Sequence, residues 1–210
     1  MLSLRISQNR RKCKHILHQK GESMKLVSVL PTCERLFSIE LAPEAPDSMN
    51  IFFLSLNPST CAQLYCDQHV IKILLEIVQM LYTAHDPLMI LECAPFNKQG
   101  TRRGYRQAHK NHPMCRWVRS SRRAYTITCN IGIALALEYN RRFGKIHACS
   151  EHVQWLSLRE PVAYEPFSSS DSTLGVPECM PDEHKDPDLV KAYRSYYTTK
   201  TFGRFTRPLS

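Results

Sequence analysis

The segment CDQHVIKILLEIVQ, residues 66–79, constrains the fold of this 210-residue chain more than any other stretch. At 100° per residue, its apolar side chains cover most of the circumference of a helix, whereas a surface helix normally has a wide polar side. One narrow polar line separates the apolar faces, and it consists of His69, Lys72, Glu76, Gln79 and Thr83. The pattern predicts a long helix that is buried on most sides.

Two interpretations of this polar line stay open on periodicity alone. The line is either the only edge of the helix that meets solvent, or the edge of a cleft between two packed faces. In the second case Glu76, flanked by Lys72 and His69, is the candidate for acid–base chemistry, because neighbouring charges can hold a carboxylate in a working protonation state.

The rest of the chain predicts a mostly α protein, a compact bundle of a few long helices with extended loops. Residues 1–48 read as a basic N-terminal extension with a Pro- and acid-rich linker, and residues 49–210 as a single all-α domain. Helices are expected at about 61–84, 113–143 with a bend near 130–132, 151–158 and 188–200, with loops at 86–111 and 159–187.

Charge and cysteine content restrict the partners and the compartment. With 28 Lys and Arg against 19 Asp and Glu, the net charge of +9 favours a polyanionic partner. No apolar run is long enough to span a membrane, and the N-terminus lacks the features of a secretory signal. Nine cysteines without a C-x-x-C pair favour a reducing compartment, the cytoplasm or nucleus, over secretion. We expect a monomer that needs no cofactor.

Cations concentrate in the loop after the first helix, in the second helix and near the C-terminus, a distribution that suits contacts with phosphates. The candidates for DNA contacts are Gln79, Arg102, Arg103, Arg106, His109, His112, Arg116, Arg119, Arg123, Arg194 and Lys200. Aromatic residues interleave with the C-terminal cations, and Tyr193 and Tyr197 among them are also candidates for the core. The histidine and cysteine spacings do not match a zinc site, so no metal is expected.

Three short motifs resemble the pyrimidine-dimer DNA glycosylases of phages and bacteria, the endonuclease V type. Asp67-Gln68-His69 precedes Glu76 at the spacing at which that family places a D-Q-H tripeptide before its catalytic glutamate. The bacterial members share an N-H-P element with a following tryptophan and an R-S segment with a following lysine. The corresponding residues here are Asn111-His112-Pro113 with Trp117, and Arg194-Ser195 with Lys200, so the resemblance covers about residues 49–205.

The resemblance implies an all-α DNA-repair enzyme that acts on double-stranded DNA carrying a damaged pyrimidine, such as a pyrimidine dimer, or an abasic site. In that family an amine attacks C1′ of the sugar, expels the base and forms an imine, and β-elimination then cuts the strand. By this resemblance Glu76 is catalytic and His69 assists it. Two arginines that the family places around its glutamate are replaced here, at Leu75 and near Gln79.

The nucleophile is the main departure from the family. The family uses the α-amine of its mature N-terminus, which corresponds here to Met49, or to Asn50 if the methionine is removed. Since 48 residues precede that point in this sequence, an alternative is an amine on the polar line itself, with Lys72 as the candidate. A glycosylase without lyase activity, or an inactive protein, are further possibilities.

Two other functions compete with a glycosylase that has abasic-site lyase activity. A non-catalytic nucleic-acid-binding protein would keep the fold and the basic surface, and its affinity for DNA would be indifferent to Glu76. An enzyme acting on a modified base or nucleotide would use the same pocket without duplex DNA.

Overall fold

The protein is mostly α-helical. A computed structural model describes residues 49–167, 174–200 and 204, and within them regular structure consists of helices and one isolated β-bridge between Phe96 and Arg103. The helices are α1 (Pro58–Leu64), α2 (Asp67–Thr83), α3 (Pro87–Cys93), α4 (Pro113–Val118), α5 (Arg122–Phe143), α6 (Ser150–Ser157) and α7 (Leu189–Thr198), with a 3₁₀ turn at Asp182–His184. The expected extension at 1–48 and the tail beyond Arg204 lie outside the described residues.

The predicted buried helix is α2, which lies at the centre and packs against α5 and α6. Its apolar residues Ile73, Leu74, Ile77 and Val78 are almost fully buried. Helix α5 approaches α2 and α6 closely at Gly132, where an added Cβ would lie 2.8 Å from Cγ2 of Ile77 and 2.7 Å from Cγ2 of Val153. Only a residue without a side chain lets these three helices meet at this distance.

Replacing Gly132 with alanine is expected to destabilise the protein by about 1–3 kcal/mol, because the new methyl group overpacks a closely fitted core. Chemical denaturation followed by circular dichroism measures the change. Asn130→Ala is the matched control, since Asn130 is exposed on the same helix and its replacement should change stability by less than about 0.5 kcal/mol. Equal effects of the two substitutions would show that the close approach is absent.

The prediction of one helix over 61–84 was wrong, because α1 and α2 are separate helices with Tyr65 and Cys66 extended between them. The buried phenol of Tyr65 donates a hydrogen bond to the carbonyl oxygen of Phe52 at 2.7 Å, which draws this residue into the core. Asn57 caps the start of α1 by accepting from the backbone N–H of Thr60. Because of this break, α2 begins as a separate helix at Asp67.

The prediction of one continuous helix over 113–143 was also wrong, because α4 and α5 are separate helices. Ser121 has an extended backbone and caps α5 by accepting from the N–H of Ala124 at 3.1 Å, so α4 ends at Val118. The expected bend is not a break, since α5 continues as helix through 130–132. The His112 cap of α4 and the Gly144 cap of α5, in the left-handed region at φ 62°, confirm the predicted boundaries.

The predicted loop 86–111 contains a helix, α3, which sequence reasoning missed. Asp86 caps it by accepting from the N–H groups of Leu88 and Met89, and Pro87 occupies its first position.

No helix among the described residues is both long enough and apolar enough to cross a bilayer.

Residues 49–54 cross the core as an extended segment without regular hydrogen bonding. All six residues are buried. The rings of Phe53 and Trp117 meet edge to face at 5.7 Å, which joins the segment to α4. The segment also contacts α2 and α7, so it is the element that brings their functional groups together.

Candidate functional site

A cavity of about 420 Å³ opens where the extended segment, α2, the start of α4, residues 179–181 and α7 meet. Three of the four predicted catalytic residues, Asn50, His69 and Lys72, line it. Its walls include Met49, Asn50, His69, Lys72, His112 and Lys200, together with Phe52, Cys179, Met180 and Tyr196. Chemically versatile side chains therefore share one cavity although they come from distant parts of the sequence.

Glu76 lies beside this cavity with two nitrogen atoms next to its carboxylate. The backbone N–H of Asn50 donates to Oε2 at 3.3 Å, and Nζ of Lys72 lies 3.8 Å from Oε1. Glu76 is only 8% exposed, so these contacts act where water screens charge poorly. A carboxylate in this position can exchange a proton with a neighbouring nitrogen or stabilise a cation formed there.

The side chain of Asn50 fixes the backbone nitrogen that faces Glu76. Its amide Nδ2 donates to the carbonyl oxygen of Cys179 at 2.9 Å, and Oδ1 accepts from the phenol of Tyr193 at 3.3 Å. The single hydrogen of this phenol is shared with the carbonyl oxygen of Pro177, which lies nearer at 2.8 Å. Burial raises the pKa of this phenol well above its ordinary value, so it stays protonated and keeps its role as a donor. Residue 50 is thus held between α2 and α7.

His69 occupies the opposite end of the same wall. Its imidazole stacks on the ring of Phe52 with centroids 5.2 Å apart. Nδ1 lies 2.7 Å from the phenol oxygen of Tyr197 on α7. The ring is buried, and contacts on two sides fix its orientation.

The exposure of α2 distinguishes the two interpretations of the polar line. The edge of α2 that meets solvent carries Ile71 and Leu75, which are 42% and 36% exposed, whereas Glu76 and His69 are buried. The line is therefore not the solvated edge of the helix. The cleft interpretation fits its first half, because His69, Lys72 and the partners of Glu76 line the cavity. Gln79 lies one turn further along and is half-buried.

Most of the residues predicted to contact DNA are not among the described residues that line the cavity. Arg102, Arg103, Arg106, His109, Arg116 and Arg123 are all exposed. The guanidinium of Arg103 lies 4.3 Å from the centroid of Phe96, and that of Arg116 lies 5.0 Å from the centroid of Phe167. Only His112 and Lys200 among the predicted contacts join the cavity, and Nζ of Lys200 lies 4.8 Å from the ring centroid of Tyr196.

Arg119 and Arg194 bind other parts of the fold. Arg119 is buried and donates to the carboxylate of Glu165 at 2.9 Å and to the carbonyl oxygen of Lys110 at 2.5 Å. Arg119 lies just beyond the end of α4, and not within one continuous helix over 113–143 as expected. Arg194 donates from Nε to the carbonyl oxygen of Leu54 at 2.8 Å and ties α7 to the extended segment.

Sequence reasoning missed the wall formed by Cys179, Met180 and Pro181. These residues fell within the loop predicted at 159–187 and carry no periodic signal. Only the tertiary fold brings them to Asn50, 129 positions away. The aromatic residues near the C-terminus were recognised as a group, but no sequence pattern indicated that Tyr197 meets His69.

The described residues contain no cluster of three His, Cys, Asp or Glu side chains that could hold a metal ion. His152 lies 2.8 Å from the phenol of Tyr82 through Nδ1 and 3.2 Å from the carbonyl oxygen of Phe96 through Nε2. Burial lowers the pKa of this imidazole. Its contacts join α6 to the loop after α3.

Comparison with known proteins identifies no relative: no family model, no curated protein and no solved structure matches this chain. The function must therefore be argued from the geometry of the cavity and the distribution of charge.

Proposed function

We propose that the protein is a DNA repair glycosylase with abasic-site lyase activity, acting on damaged pyrimidines such as pyrimidine dimers. One observation carries the proposal: the nitrogen of residue 50, which is an α-amine in a chain that begins at that residue, lies 3.3 Å from the buried carboxylate of Glu76, at the wall of a cavity. Imine chemistry needs such a pair, because the nitrogen must lose protons as it attacks and the carboxylate must accept them.

The proposed reaction begins when an amine nitrogen forms a bond to C1′ of the damaged nucleotide. The glycosidic bond breaks, and its electron pair leaves with the base. Opening of the sugar ring gives an imine, and at an abasic aldehyde the same imine forms with release of water. Removal of a proton from C2′ then expels the 3′ phosphate and cuts the strand. In this reaction Glu76 moves protons at the nitrogen and stabilises the cationic sugar.

Two nitrogens are candidates for the nucleophile. The first is the α-amine at Asn50 or Met49, in a chain whose mature start lies there. The second is Nζ of Lys72, 3.8 Å from Oε1 of Glu76. The first is favoured because the Asn50 side chain is held by its hydrogen bond to the carbonyl oxygen of Cys179 and by the Tyr193 phenol beside it, whereas Lys72 is a flexible, half-exposed side chain.

The surface charge supports duplex DNA as the partner. No acidic residue occurs between Glu92 and Glu138, and nine Lys and Arg residues fall in that interval. Exposed cations of this stretch, such as Arg102, Arg106 and Arg123, can contact phosphates and release counterions. Binding should therefore weaken steeply as the salt concentration rises.

A second candidate function is a non-catalytic DNA-binding protein with the same fold. It is favoured by the 48 residues that precede Met49, because the nitrogen of residue 50 is then a peptide nitrogen and cannot form an imine. The basic surface serves this function equally well.

Borohydride trapping on duplex DNA with a single abasic site tests the proposal. The 210-residue chain and a chain beginning at Met49 are compared, each with and without Lys72→Met. We expect a covalent complex from the shorter chain whether or not Lys72 is present. Trapping by the full chain that is lost in Lys72→Met would identify the lysine as the nucleophile.

Lys191→Met serves as the matched control, since Lys191 is exposed on α7 and outside the described cavity wall. Its trapping should equal that of the parent chain. Circular dichroism of every variant separates loss of chemistry from loss of fold. If no form of the chain is trapped while salt-sensitive DNA binding persists, the lyase is excluded and the binding protein is favoured.

A further inference from the structure

The loop that precedes α4 forms a second cavity beside the first, which Asn50 and Lys72 line. This loop cavity of about 390 Å³ is lined by His109, Lys110, Asn111 and His112. His112 also lines the first cavity, together with Pro113. The two cavities are therefore neighbours, and one ligand that extends past His112 can occupy both.

The backbone of this loop is held in one shape by its neighbours. His109 lies in the left-handed region at φ 48°, which is uncommon for a residue with a side chain. The backbone N–H of His112 donates to the carbonyl oxygen of His109 at 2.9 Å. The buried guanidinium of Arg119 donates to the carbonyl oxygen of Lys110 at 2.5 Å. Because these contacts enforce the turn, the exposed side chains at 109–111 are arranged before a ligand binds.

The charge of the loop favours an anionic ligand. Its cavity is lined by one ammonium group, two imidazoles and one amide, with no carboxylate among the described lining residues. The carboxylate of Glu165 approaches the loop, but it is paired with the buried guanidinium of Arg119 at 2.9 Å. This hydrogen bond, followed by the charges of Arg119, Lys110 and Arg116, holds the pKa of Glu165 below its ordinary value. Since Arg119 offsets that carboxylate, Lys110 and the exposed Arg116 leave a surplus of positive charge.

The first cavity indicates what this anion is attached to. Its described wall combines apolar and aromatic side chains with two lysines, among them Phe52, Met180, Tyr196, Lys72 and Lys200. Its volume of about 420 Å³ lies towards the lower end of the range for small-molecule sites, about 300–1,000 Å³. Such a cavity suits one flat ring with a charged substituent, as in a single nucleotide. A nucleotide within a strand also brings a neighbouring phosphate, which can lie beyond His112.

We propose that the loop 109–112 binds the backbone phosphate next to the nucleotide in the first cavity, with Lys110 as its main charged contact. The ligand is therefore a strand that continues past the cavity, and not a nucleotide that ends within it. That the strand is DNA with a lesion rests on the proposed function, whereas the anion site rests on the shape and charge of the loop. Arg119 acts as a positioning residue, because it fixes the backbone of Lys110 and offsets Glu165.

Binding of the full 210-residue chain to duplex DNA with a tetrahydrofuran abasic-site analogue, which cannot form an imine, tests the site. Some duplexes carry one uncharged methylphosphonate linkage, at either phosphate flanking the analogue or at a remote position, and fluorescence anisotropy measures each affinity. Neutralising one flanking phosphate should weaken binding by the parent chain about 10-fold, the usual effect of losing a hydrogen bond to a charged group. Lys110→Met should cause a similar loss on the unmodified duplex and lower the slope of log affinity against log salt by about one.

The two changes should not add, because each removes one partner of the same contact. Lys145→Met is the matched control, since Lys145 is exposed beyond the end of α5 and lines neither cavity. It should bind every duplex within about 2-fold of the parent chain. His109→Asn removes an imidazole but keeps a residue that tolerates the left-handed backbone, and its loss of affinity should couple to the same linkage. Circular dichroism checks that each variant is folded.

The outcomes separate the phosphate site from the chemistry. Losses that add at both flanking positions, or a Lys110→Met protein that binds like Lys145→Met, would overturn the site. Coupling at one flanking phosphate without borohydride trapping would support the site and count against the lyase. Trapping without that coupling would overturn the site and leave the lyase in place. A parent chain that binds none of the duplexes would overturn both.

Discussion

Glu76→Gln is expected to lower imine trapping and strand cleavage by about 10²–10⁴-fold, the usual contribution of a positioned acid–base group. The amide has nearly the same size as the carboxylate and can still accept from the backbone nitrogen of Asn50. It cannot take up a proton or carry the charge that stabilises a cationic sugar. The fold should therefore remain while the chemistry is lost. Single-turnover cleavage of abasic-site DNA by the form of the chain that is trapped measures the effect.

Glu151→Gln is the matched control for this substitution, since Glu151 is an exposed carboxylate on α6. It should cleave at the parental rate. DNA affinity should be similar for both variants, because Glu76 makes its contacts with Asn50 and Lys72 inside the protein. Undiminished cleavage by the Glu76→Gln protein would remove the carboxylate from the mechanism, and equal DNA binding would then favour the non-catalytic function.

The buried helix and its polar line were predictable because helical periodicity is a local property of the sequence. The spacing of His69, Lys72 and Glu76 was enough to place them on one side of α2. Whether that side met solvent or a cavity was not predictable. The answer depends on Asn50 and on residues 179–181, whose positions are set by contacts far apart in sequence.

The breaks between helices were not predictable from periodicity, because each depends on a tertiary contact. An apolar pattern continues through Tyr65, yet this residue leaves the helix to bond Phe52. Arg119 continues a plausible basic face, yet its guanidinium turns inward to Glu165. Composition indicated that this stretch is basic, but it could not distinguish exposed arginines from those that hold the fold together.

Arg142→Met is expected to destabilise the protein by about 3–5 kcal/mol, the usual cost of breaking a buried ion pair from one side. Arg142 donates to Glu138 at 2.6 Å, to Asp67 at 2.9 Å and to the carbonyl oxygens of Tyr65 and Gln63 at 2.8 and 3.0 Å. Methionine fills the volume but leaves these buried acceptors without their donor. Because folded domains are stable by only about 5–15 kcal/mol, urea denaturation should show a large shift.

The Arg142 network also gives the destabilisation a defined pH dependence. Burial raises the pKa of Glu138, but hydrogen bonds from Arg141 and Arg142 outweigh it and hold the pKa below its usual value of 4.5. A carboxylate whose native pKa is depressed stabilises the fold above its unfolded pKa, and that contribution is lost as the pH falls through the native pKa. The difference between the parent chain and Arg142→Met should therefore be largest near neutral pH and shrink below about pH 4.5.

Arg141→Met is an internal control for burial, because Arg141 binds the same carboxylate with two hydrogen bonds of 2.7 Å. Its side chain is 43% exposed, against 2% for Arg142, so its removal should cost only about 0–1 kcal/mol. Similar losses from both variants would mean that Glu138, rather than the junction before α2, determines the effect. A large loss confined to Arg142 would instead identify the junction at 62–67 as its source, and that junction fixes the first turn of α2 on which His69 stands.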